Sequence, residues 1–102
     1  MTEFQQQVYN ALTTIPIGKV VTYQDLAAMI GRPKAVRAVG TALSKNTRIG
    51  VVPCHRVVRS TGEVGQFALG TKKKMFMLQK EGVTINNGIV NLREHRLVLS
   101  SA

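Results

Sequence analysis

The chain has 102 residues, of which 14 are lysine or arginine and 5 are aspartate or glutamate, giving a net charge of +9 and a pI near 10.5. This length fits one domain with a modest core, so residues 1–102 are taken as a single domain. The positive charge is spread over both halves of the chain and favours a polyanionic partner such as nucleic acid, although a generic basic surface has the same composition.

The sequence contains no apolar run of membrane-spanning length and no signal-peptide pattern at its amino terminus. We therefore expect no membrane association and a cytoplasmic protein. The single cysteine excludes an internal disulfide. Cys54, His55 and His95 are too sparse a set for a structural zinc site, so we expect no metal and no cofactor.

Two helices with capping signals are predicted in the first third of the chain. Thr2 is followed three residues later by a glutamine, as in a capping box, and apolar side chains recur on one helical face until Pro16 and Gly18. A second capping box is predicted at Thr22. It opens a helix of about two turns that Gly31 ends.

A third helix is predicted to begin at Pro33, with Val36, Val39 and Leu43 as its core stripe. The opposite face carries Lys34, Arg37, Thr41 and Lys45. Two short helices around a glycine-containing turn predict a helix-turn-helix, in which the cationic face of the second helix could meet DNA.

Small residues flank that cationic face, and they have two interpretations. They are Ala35, Ala38, Gly40 and Ala42. They would let the helix approach a narrow surface such as the minor groove, or they would let two helices pack tightly. Periodicity alone leaves both interpretations open.

The second half of the chain predicts one more helix and a hairpin. Thr71 is the expected cap of a helix that runs to Glu81, and the lysines at 72–74 are interpreted as a solvated face. The Asn-Gly pair at 87–88, between two apolar runs, predicts a small terminal hairpin. His95 is expected at the surface. The predicted fold class is a mainly α single domain with a small β-hairpin, similar to a winged helix-turn-helix.

The only cysteine lies in the segment PCHRVV at 53–58. A thiol followed by an imidazole and a guanidinium, between apolar runs, is typical of an activated nucleophile. A lone cysteine is otherwise commonly a buried small hydrophobic residue. The residues of this segment alone leave both readings open.

Several segments together resemble the DNA-binding, active-site domain of the O6-alkylguanine-DNA alkyltransferases, which are suicidal DNA-repair proteins. The resemblance extends from residue 4 to about residue 83, roughly four-fifths of the chain. Its most specific blocks, in order, are GKVVTY at 18–23, PKAVRAVG at 33–40, PCHRVV at 53–58, GEVG at 62–65 and EG at 81–82.

The resemblance implies a catalytic role for four residues. Cys54 matches the acceptor that takes the alkyl group from guanine O6 and keeps it. His55 matches the base that removes the thiol proton through a water, and Glu81 matches the carboxylate that orients His55. This set is needed because a free thiol with an ordinary pKa near 8.5 is mostly protonated at neutral pH. Tyr23 matches the residue that crowds the target phosphate and protonates guanine N3.

The resemblance also implies base flipping, since O6 lies inside the base stack where a buried thiol cannot reach it. Arg37 matches the finger that fills the gap left by the extruded guanine, while Asn46 matches a hinge residue and Arg56 is expected to brace the active-site loop. The predicted DNA-binding residues, for minor-groove docking on double-stranded DNA, are Tyr23, Lys34, Ala35, Arg37, Ala38, Thr41 and Lys45. The predicted pocket residues are Asn46, Val52, Pro53, Phe67, Ala68 and Leu69.

Two departures from the transferase pattern leave two functions open. The segment at 66–70 has no hydroxyl where the transferases have a Tyr-Ser pair, and the chain lacks their amino-terminal domain. Its size resembles that of the alkyltransferase-like proteins, which bind O6-alkylguanine without repairing it but usually have tryptophan at the position of Cys54. The first hypothesis is therefore a single-turnover alkyltransferase. The alternative is a non-catalytic protein that flags the lesion for excision-repair proteins, and a third is a winged-helix DNA binder without preference for damage. A monomer is expected.

Overall fold

The computed structural model describes residues 2–46, 51–67 and 69–98. Within these ranges the chain is mostly helical with two pairs of short strands, which confirms the predicted fold class. In chain order the elements are α1 Glu3–Leu12, β1 Val21–Thr22, α2 Tyr23–Met29, α3 Val36–Ser44, a 3-10 turn Cys54–Arg56, β2 Val57–Val58, α4 Thr71–Lys80, β3 Ile85–Asn86, β4 Ile89–Val90 and α5 Leu92–His95. Among the residues described, no helix has both the length and the apolar character needed to cross a membrane.

Helices α1 and α2 begin with the predicted capping boxes. The Thr2 hydroxyl accepts a hydrogen bond from the Gln5 backbone N–H at 3.1 Å, and the Gln5 side chain accepts one from the Thr2 N–H. Thr22 and Asp25 form the same reciprocal pair at 3.0 Å. Each box satisfies N–H groups that have no partner within the helix, which explains why both starts were readable from sequence.

Helix α3 begins at Val36, so the predicted start at Pro33 is wrong. The Ala35 N–H donates to the Arg32 carbonyl at 2.9 Å, and this closes a tight turn through Pro33 before the helix starts. In the helix Val39 is fully buried, and the other residues of the predicted stripe pack partly buried against the same core. Helices α1, α2 and α3 together enclose this core.

A parallel strand pair joins the start of α2 to the segment after the cysteine. Val21 pairs with Val57 and Thr22 pairs with Val58. The sequence did not predict this pair, because two-residue strands carry no periodic signal. The pair brings two parts of the chain together, because Tyr23 directly follows β1 and the 3-10 turn that contains Cys54 directly precedes β2.

The terminal hairpin is confirmed, with Ile85 opposite Val90 and Asn87 at a φ of +53° in its turn. The hairpin packs on a second apolar cluster formed by Val20, Val58, Val64, Leu78, Val83 and Val90. Helix α4 starts at Thr71, but the cap is Gly70 at a φ of +93°. The predicted cap at Thr71 is wrong because its hydroxyl donates to the Gly65 carbonyl at 3.3 Å instead of accepting a helix N–H.

His95 and Lys74 are buried, contrary to both sequence predictions. The Nε2 atom of His95 accepts a hydrogen bond from the Thr84 N–H at 3.0 Å, and Nδ1 lies 3.2 Å from the Gly18 carbonyl. His95 is enclosed because the chain returns along Val20, whose N–H donates to the His95 carbonyl. Lys74 belongs to the surroundings of the cysteine.

Candidate active site

A cavity of about 560 Å³ opens between Cys54 and helix α3. Cys54 belongs to the core that α1, α2 and α3 enclose, and it is 8% exposed. The lining residues are Tyr23, Arg37, Gly40, Thr41, Leu43, Ser44, Cys54, Gln66 and Phe67. The volume lies in the usual range for a small-ligand pocket, so an extruded base could reach the sulfur from the side of α3.

The buried side chain of Asn46 joins the sulfur to the loop that precedes it. Its Nδ2 atom donates to Cys54 Sγ at 3.3 Å and lies 3.3 Å from the Val52 carbonyl. The Cys54 N–H donates to the same carbonyl at 2.8 Å. Because an amide N–H can only donate, the sulfur is the acceptor in this contact, and the same N–H would stabilise negative charge that develops on the sulfur during a reaction.

His55 is 4% exposed and points its Nε2 atom at Glu81, 3.0 Å from Oε2. An ionised carboxylate has no proton to give, so Nε2 carries the hydrogen of this bond. In the neutral imidazole Nδ1 is then free of hydrogen and can accept a proton. The pair therefore has the geometry of a base held in one tautomer by a carboxylate.

Arg56 holds the carboxylate of Glu81 in place, and this carboxylate orients His55. Its Nε and Nη2 atoms donate to the two oxygens of Glu81 at 2.9 and 2.8 Å, and Nη1 donates to the Ile15 carbonyl at 2.7 Å. Burial alone would raise the pKa of Glu81, but the hydrogen bonds from Arg56 and His55 outweigh it and lower that pKa. Arg56 thus braces the turn and keeps Glu81 ionised.

Lys74 of α4 is buried beside the segment that follows the cysteine turn, a position that the sequence did not predict. It is 1% exposed, and its Nζ atom donates to the Gln66 carbonyl at 3.2 Å. Burial lowers its pKa to about 8, while the nearby Cys54 opposes that shift and Arg59 adds to it. Leu78, four residues later, is buried on the same face, and this spacing was the available signal.

Tyr23 lines the cavity together with Cys54 and is half-buried. Burial raises the pKa of its phenol, and the charges of Arg59 and Cys54 act in opposite directions, Arg59 lowering it and Cys54 raising it. Tyr23 is therefore protonated at neutral pH and is available as a proton donor to a base in the cavity.

The predicted DNA-binding face of α3 and the preceding turn lies at the surface. Lys34, Arg37, Ala38, Thr41 and Lys45 are exposed and Ala35 is partly exposed. Arg37 and Thr41 also line the cavity, so its opening adjoins this face. Of the small residues, Ala42 packs into the core, as the helix-packing interpretation predicts, whereas Ala38 is exposed.

The predicted pocket residues occupy different places. Phe67 lines the cavity, while Val52 and Pro53 are buried beside Cys54. Leu69 is 52% exposed and lies outside the lining, because the Gly70 N–H bonds the Phe67 carbonyl and closes a turn that carries Leu69 outward. Ala68 lies outside the described residues.

The model of one protein family, described as the DNA-binding domain of 6-O-methylguanine DNA methyltransferase, matches residues 3–83. The chain belongs to this methyltransferase family. The resemblance read from the sequence blocks is thereby confirmed.

Curated relatives of this methyltransferase-family chain are longer than it is. The bifunctional transcriptional activator and DNA repair enzyme Ada of Escherichia coli is 50% identical over 80 residues, which cover 78% of this chain and 23% of Ada. A methylated-DNA–protein-cysteine methyltransferase of Methanosarcina acetivorans is 48% identical over 81 residues, covering 79% of this chain and 52% of the relative. The chain thus spans about a quarter to a half of the length of these relatives.

Solved structures of the family include proteins bound to DNA. OGT of Mycobacterium tuberculosis in complex with DNA has a TM-score of 0.78 and 42% identity, and the match covers 79% of this chain and 50% of OGT. Atl1 of S. pombe, in complex with damaged DNA containing O6-carboxymethylguanine, has a TM-score of 0.87 and 35% identity, and the match covers 97% and 98% of the two chains.

The cavity of this methyltransferase-family member receives its hydroxyl groups from helices α2 and α3. Gln66 and Phe67 form the wall that follows the cysteine turn, and neither has a hydroxyl. The hydroxyl groups of the lining come from Tyr23 of α2 and from Thr41 and Ser44 of α3. The Thr41 and Ser44 hydroxyls donate to helix carbonyls of their own helix, which leaves Tyr23 as the proton donor with the clearest access to a bound base.

Proposed function

We propose that the chain is a single-turnover alkyltransferase that binds double-stranded DNA containing O6-alkylguanine and moves the alkyl group irreversibly to Cys54. The observation that carries the proposal is the position of the sulfur. Cys54 lines a base-sized cavity that adjoins the cationic face of α3, and its sulfur accepts a hydrogen bond from Asn46. The next residue, His55, supplies a base, and Glu81, which directly follows α4, holds its ring in place.

DNA binding in this proposal uses the exposed face of α3 from the minor-groove side. The cations there would neutralise phosphates, and Ala38 would allow close approach to the groove floor. Arg37, at the cavity mouth, would occupy the space that the target base leaves in the stack. The flipped guanine would then lie between Tyr23 and Cys54.

The chemical step transfers one carbon. His55 takes the Cys54 proton through a water, and the thiolate attacks the alkyl carbon, so that the S–C bond forms as the C–O6 bond breaks. The electron pair of that bond stays with the purine, which takes a proton at N3 from Tyr23. The resulting phenolate recovers the proton that His55 holds. Guanine and S-alkylcysteine are the products, and no oxidant or cofactor enters the balance.

Intact-protein mass spectrometry tests the proposal. After incubation with a duplex that contains O6-methylguanine, we expect the protein mass to rise by one CH₂ group, with the modification on the Cys54 peptide. The matched controls are the Cys54→Ser variant and the same duplex with unmodified guanine, neither of which should show the shift. An unchanged protein mass after hours with excess lesion DNA would overturn the enzyme proposal.

The second candidate is a non-catalytic lesion-binding protein that presents O6-alkylguanine to excision-repair proteins. It is favoured by the match with Atl1, which covers nearly the whole of both chains, and by the apolar wall at Phe67. Under this alternative, tight and preferential binding to lesion DNA persists while the Cys54 mass does not change. The mass measurement therefore separates the two candidates.

In either case we propose a monomer, because one lesion presents one site without two-fold symmetry. We also propose that residues 1–102 act as one domain. We propose that the protein acts in the cytoplasm of a cell that has no nucleus, where the chromosomal DNA is accessible to it.

A further inference from the structure

The guanidinium of Arg59 and the hydroxyl of Tyr23 face the same small space beside Gly65. A Cβ atom placed on Gly65 would lie 3.7 Å from Arg59 Nε and 3.7 Å from Tyr23 Oη. Gly65 has a φ of +80°, which a residue with a side chain rarely adopts. Glycine therefore leaves this space unfilled, and both polar groups border it.

The backbone of Arg59 is held at this position by a tight turn. Its N–H donates to the Glu63 carbonyl at 2.9 Å, and its carbonyl accepts from the Gly62 N–H at 2.8 Å. The side chain lines a second cavity of about 480 Å³, which borders the first because Gln66 lines both. Glu63 also lines the second cavity, and its carboxylate accepts a hydrogen bond from the Thr61 hydroxyl.

The charge of Arg59 acts on the phenol of Tyr23 in a defined direction. A cation beside a phenol favours the phenolate, and Arg59 lowers the pKa of Tyr23 against the larger effect of burial and the opposing effect of Cys54. Arg59 is exposed, so water screens this effect in the free protein. Bound DNA would exclude water from the space beside Gly65 and strengthen it.

We propose that Arg59 is a positioning residue for alkyl transfer, whose guanidinium stabilises the phenolate that forms when Tyr23 gives its proton to the departing guanine. The inference rests on the proposed function and deepens it. Because the wall at Gln66 and Phe67 has no hydroxyl, protonation of the leaving group depends on Tyr23, and its acidity then limits the chemical step.

The proton balance of the step is closed without a further reactant. The Tyr23 proton moves to guanine N3 as the electron pair of the broken C–O6 bond returns to the purine. Arg59 keeps its own protons throughout and contributes charge alone. The positive charge of Arg59 is constant, but it stabilises Tyr23 only while negative charge develops on the phenol oxygen. The interaction is therefore stronger in the transition state than in the ground state.

The first test measures Tyr23 directly, in the free protein, without any alkyl transfer. The chain has two tyrosines, so ¹⁹F NMR of protein carrying 3-fluorotyrosine gives two signals, which the Tyr9→Phe variant assigns. We expect Arg59→Gln to move the titration midpoint of Tyr23 to higher pH and Arg59→Lys to restore most of the difference. The exposed Arg93→Gln is the control for loss of one positive charge, and it should leave the Tyr23 midpoint in place.

The second test measures the single-turnover rate constant of methyl transfer at saturating lesion duplex. We expect Arg59→Gln to slow the reaction about threefold to tenfold. In a Tyr23→Phe background, which lacks the phenol, we expect Arg59→Gln to change the rate constant by less than about twofold. Arg59→Lys should recover most of the wild-type rate, whereas Arg93→Gln should not alter it.

Three outcomes would overturn the inference. These are an unmoved Tyr23 midpoint in Arg59→Gln, an equal rate loss in the presence and absence of the Tyr23 hydroxyl, or a loss confined to DNA affinity, which would make Arg59 a phosphate contact. If the wild-type protein transfers no methyl group, the proposed function fails instead. The titration then decides by itself whether Arg59 sets the acidity of Tyr23.

Discussion

The Nδ2 atom of Asn46 donates a hydrogen bond to the sulfur of Cys54 at 3.3 Å. Both residues are buried, and the amide also lies 3.3 Å from the Val52 carbonyl, so its direction is fixed by the loop before the cysteine. Asn46 lies two residues after the end of α3, next to the C-cap residue Lys45. The helix that faces DNA and the sulfur that would accept the alkyl group are thus joined through one side chain.

The first prediction concerns this bond. Asn46→Ala should slow alkylation of Cys54 about tenfold to a hundredfold, because a hydrogen bond to a charged group contributes about 1.5–3 kcal/mol and the thiolate would lose it. The rate is measured by mass spectrometry, with lesion DNA and separately with iodoacetamide. Asn10→Ala, on the exposed face of α1, is the control. A rate equal to that of the wild type with both reagents would contradict the role of Asn46.

The second prediction concerns the carboxylate between His55 and Arg56. Glu81→Gln keeps the shape of the side chain but removes its charge, and we expect a loss of about 1.5–3 kcal/mol in the free energy of unfolding at pH 7. The pKa of Glu81 is lower in the folded protein than in the unfolded chain, so folding is favoured while Glu81 is ionised. Its contribution is present above the unfolded pKa and is lost as the pH falls through the folded one.

Urea unfolding from pH 7 down to the acid limit of folding checks this prediction. The difference in stability between the wild type and Glu81→Gln should shrink toward acid pH. Glu3→Gln, at the exposed start of α1, should give a small difference. A constant Glu81 difference across this range would show that the carboxylate is not held ionised by His55 and Arg56.

Local signals predicted the starts of α1 and α2 and the hairpin, because capping boxes and Asn-Gly turns are formed by residues at most three positions apart. The site depends on longer separations. Glu81 follows His55 by 26 positions, and only the family resemblance pointed to it. His95 bonds the Gly18 carbonyl across 77 positions, so no local pattern could have shown that it is buried.

The prediction that the lysines at 72–74 form a solvated face is wrong for one of the three. Charge alone predicted a solvated face, and two of the three lysines are exposed. The third, Lys74, is enclosed because the segment after the cysteine turn folds over it and presents the Gln66 carbonyl to its ammonium. The hydrogen bond to the Gln66 carbonyl offsets part of the free-energy cost of burying the Lys74 ammonium, and the sequence does not reveal this bond.

The third prediction follows from the burial of Lys74. Its pKa falls to about 8 in the folded protein, whereas an unfolded lysine titrates near 10.4. Between these values the unfolded chain binds more protons, so the free energy of unfolding contributed by this residue rises with pH. Relative to Lys74→Met, the wild type should therefore gain stability as the pH rises from about 8 to about 10.

Urea unfolding of both proteins at pH 7.5 and pH 10 measures this difference, and Lys72→Met, which is exposed, is the matched control. We expect the control to show the same pH dependence as the wild type. If the difference between Lys74→Met and the wild type is independent of pH, the ammonium is charged in the folded state throughout this range, and its burial does not depress its pKa.

The last prediction separates the two kinds of cation on the DNA-binding face. Arg37 lines the cavity mouth, whereas Lys45 lies beyond the end of α3 and outside the lining. Arg37→Ala should weaken binding to O6-methylguanine duplex by about 1–3 kcal/mol and binding to unmodified duplex by much less, because the gap that it fills exists only after flipping. Lys45→Ala should weaken both complexes equally and reduce the salt dependence of binding, as expected of a phosphate contact. Fluorescence anisotropy at several salt concentrations measures both variants on both duplexes. Equal losses for Arg37→Ala on the two duplexes would make Arg37 a phosphate contact and remove it from base flipping.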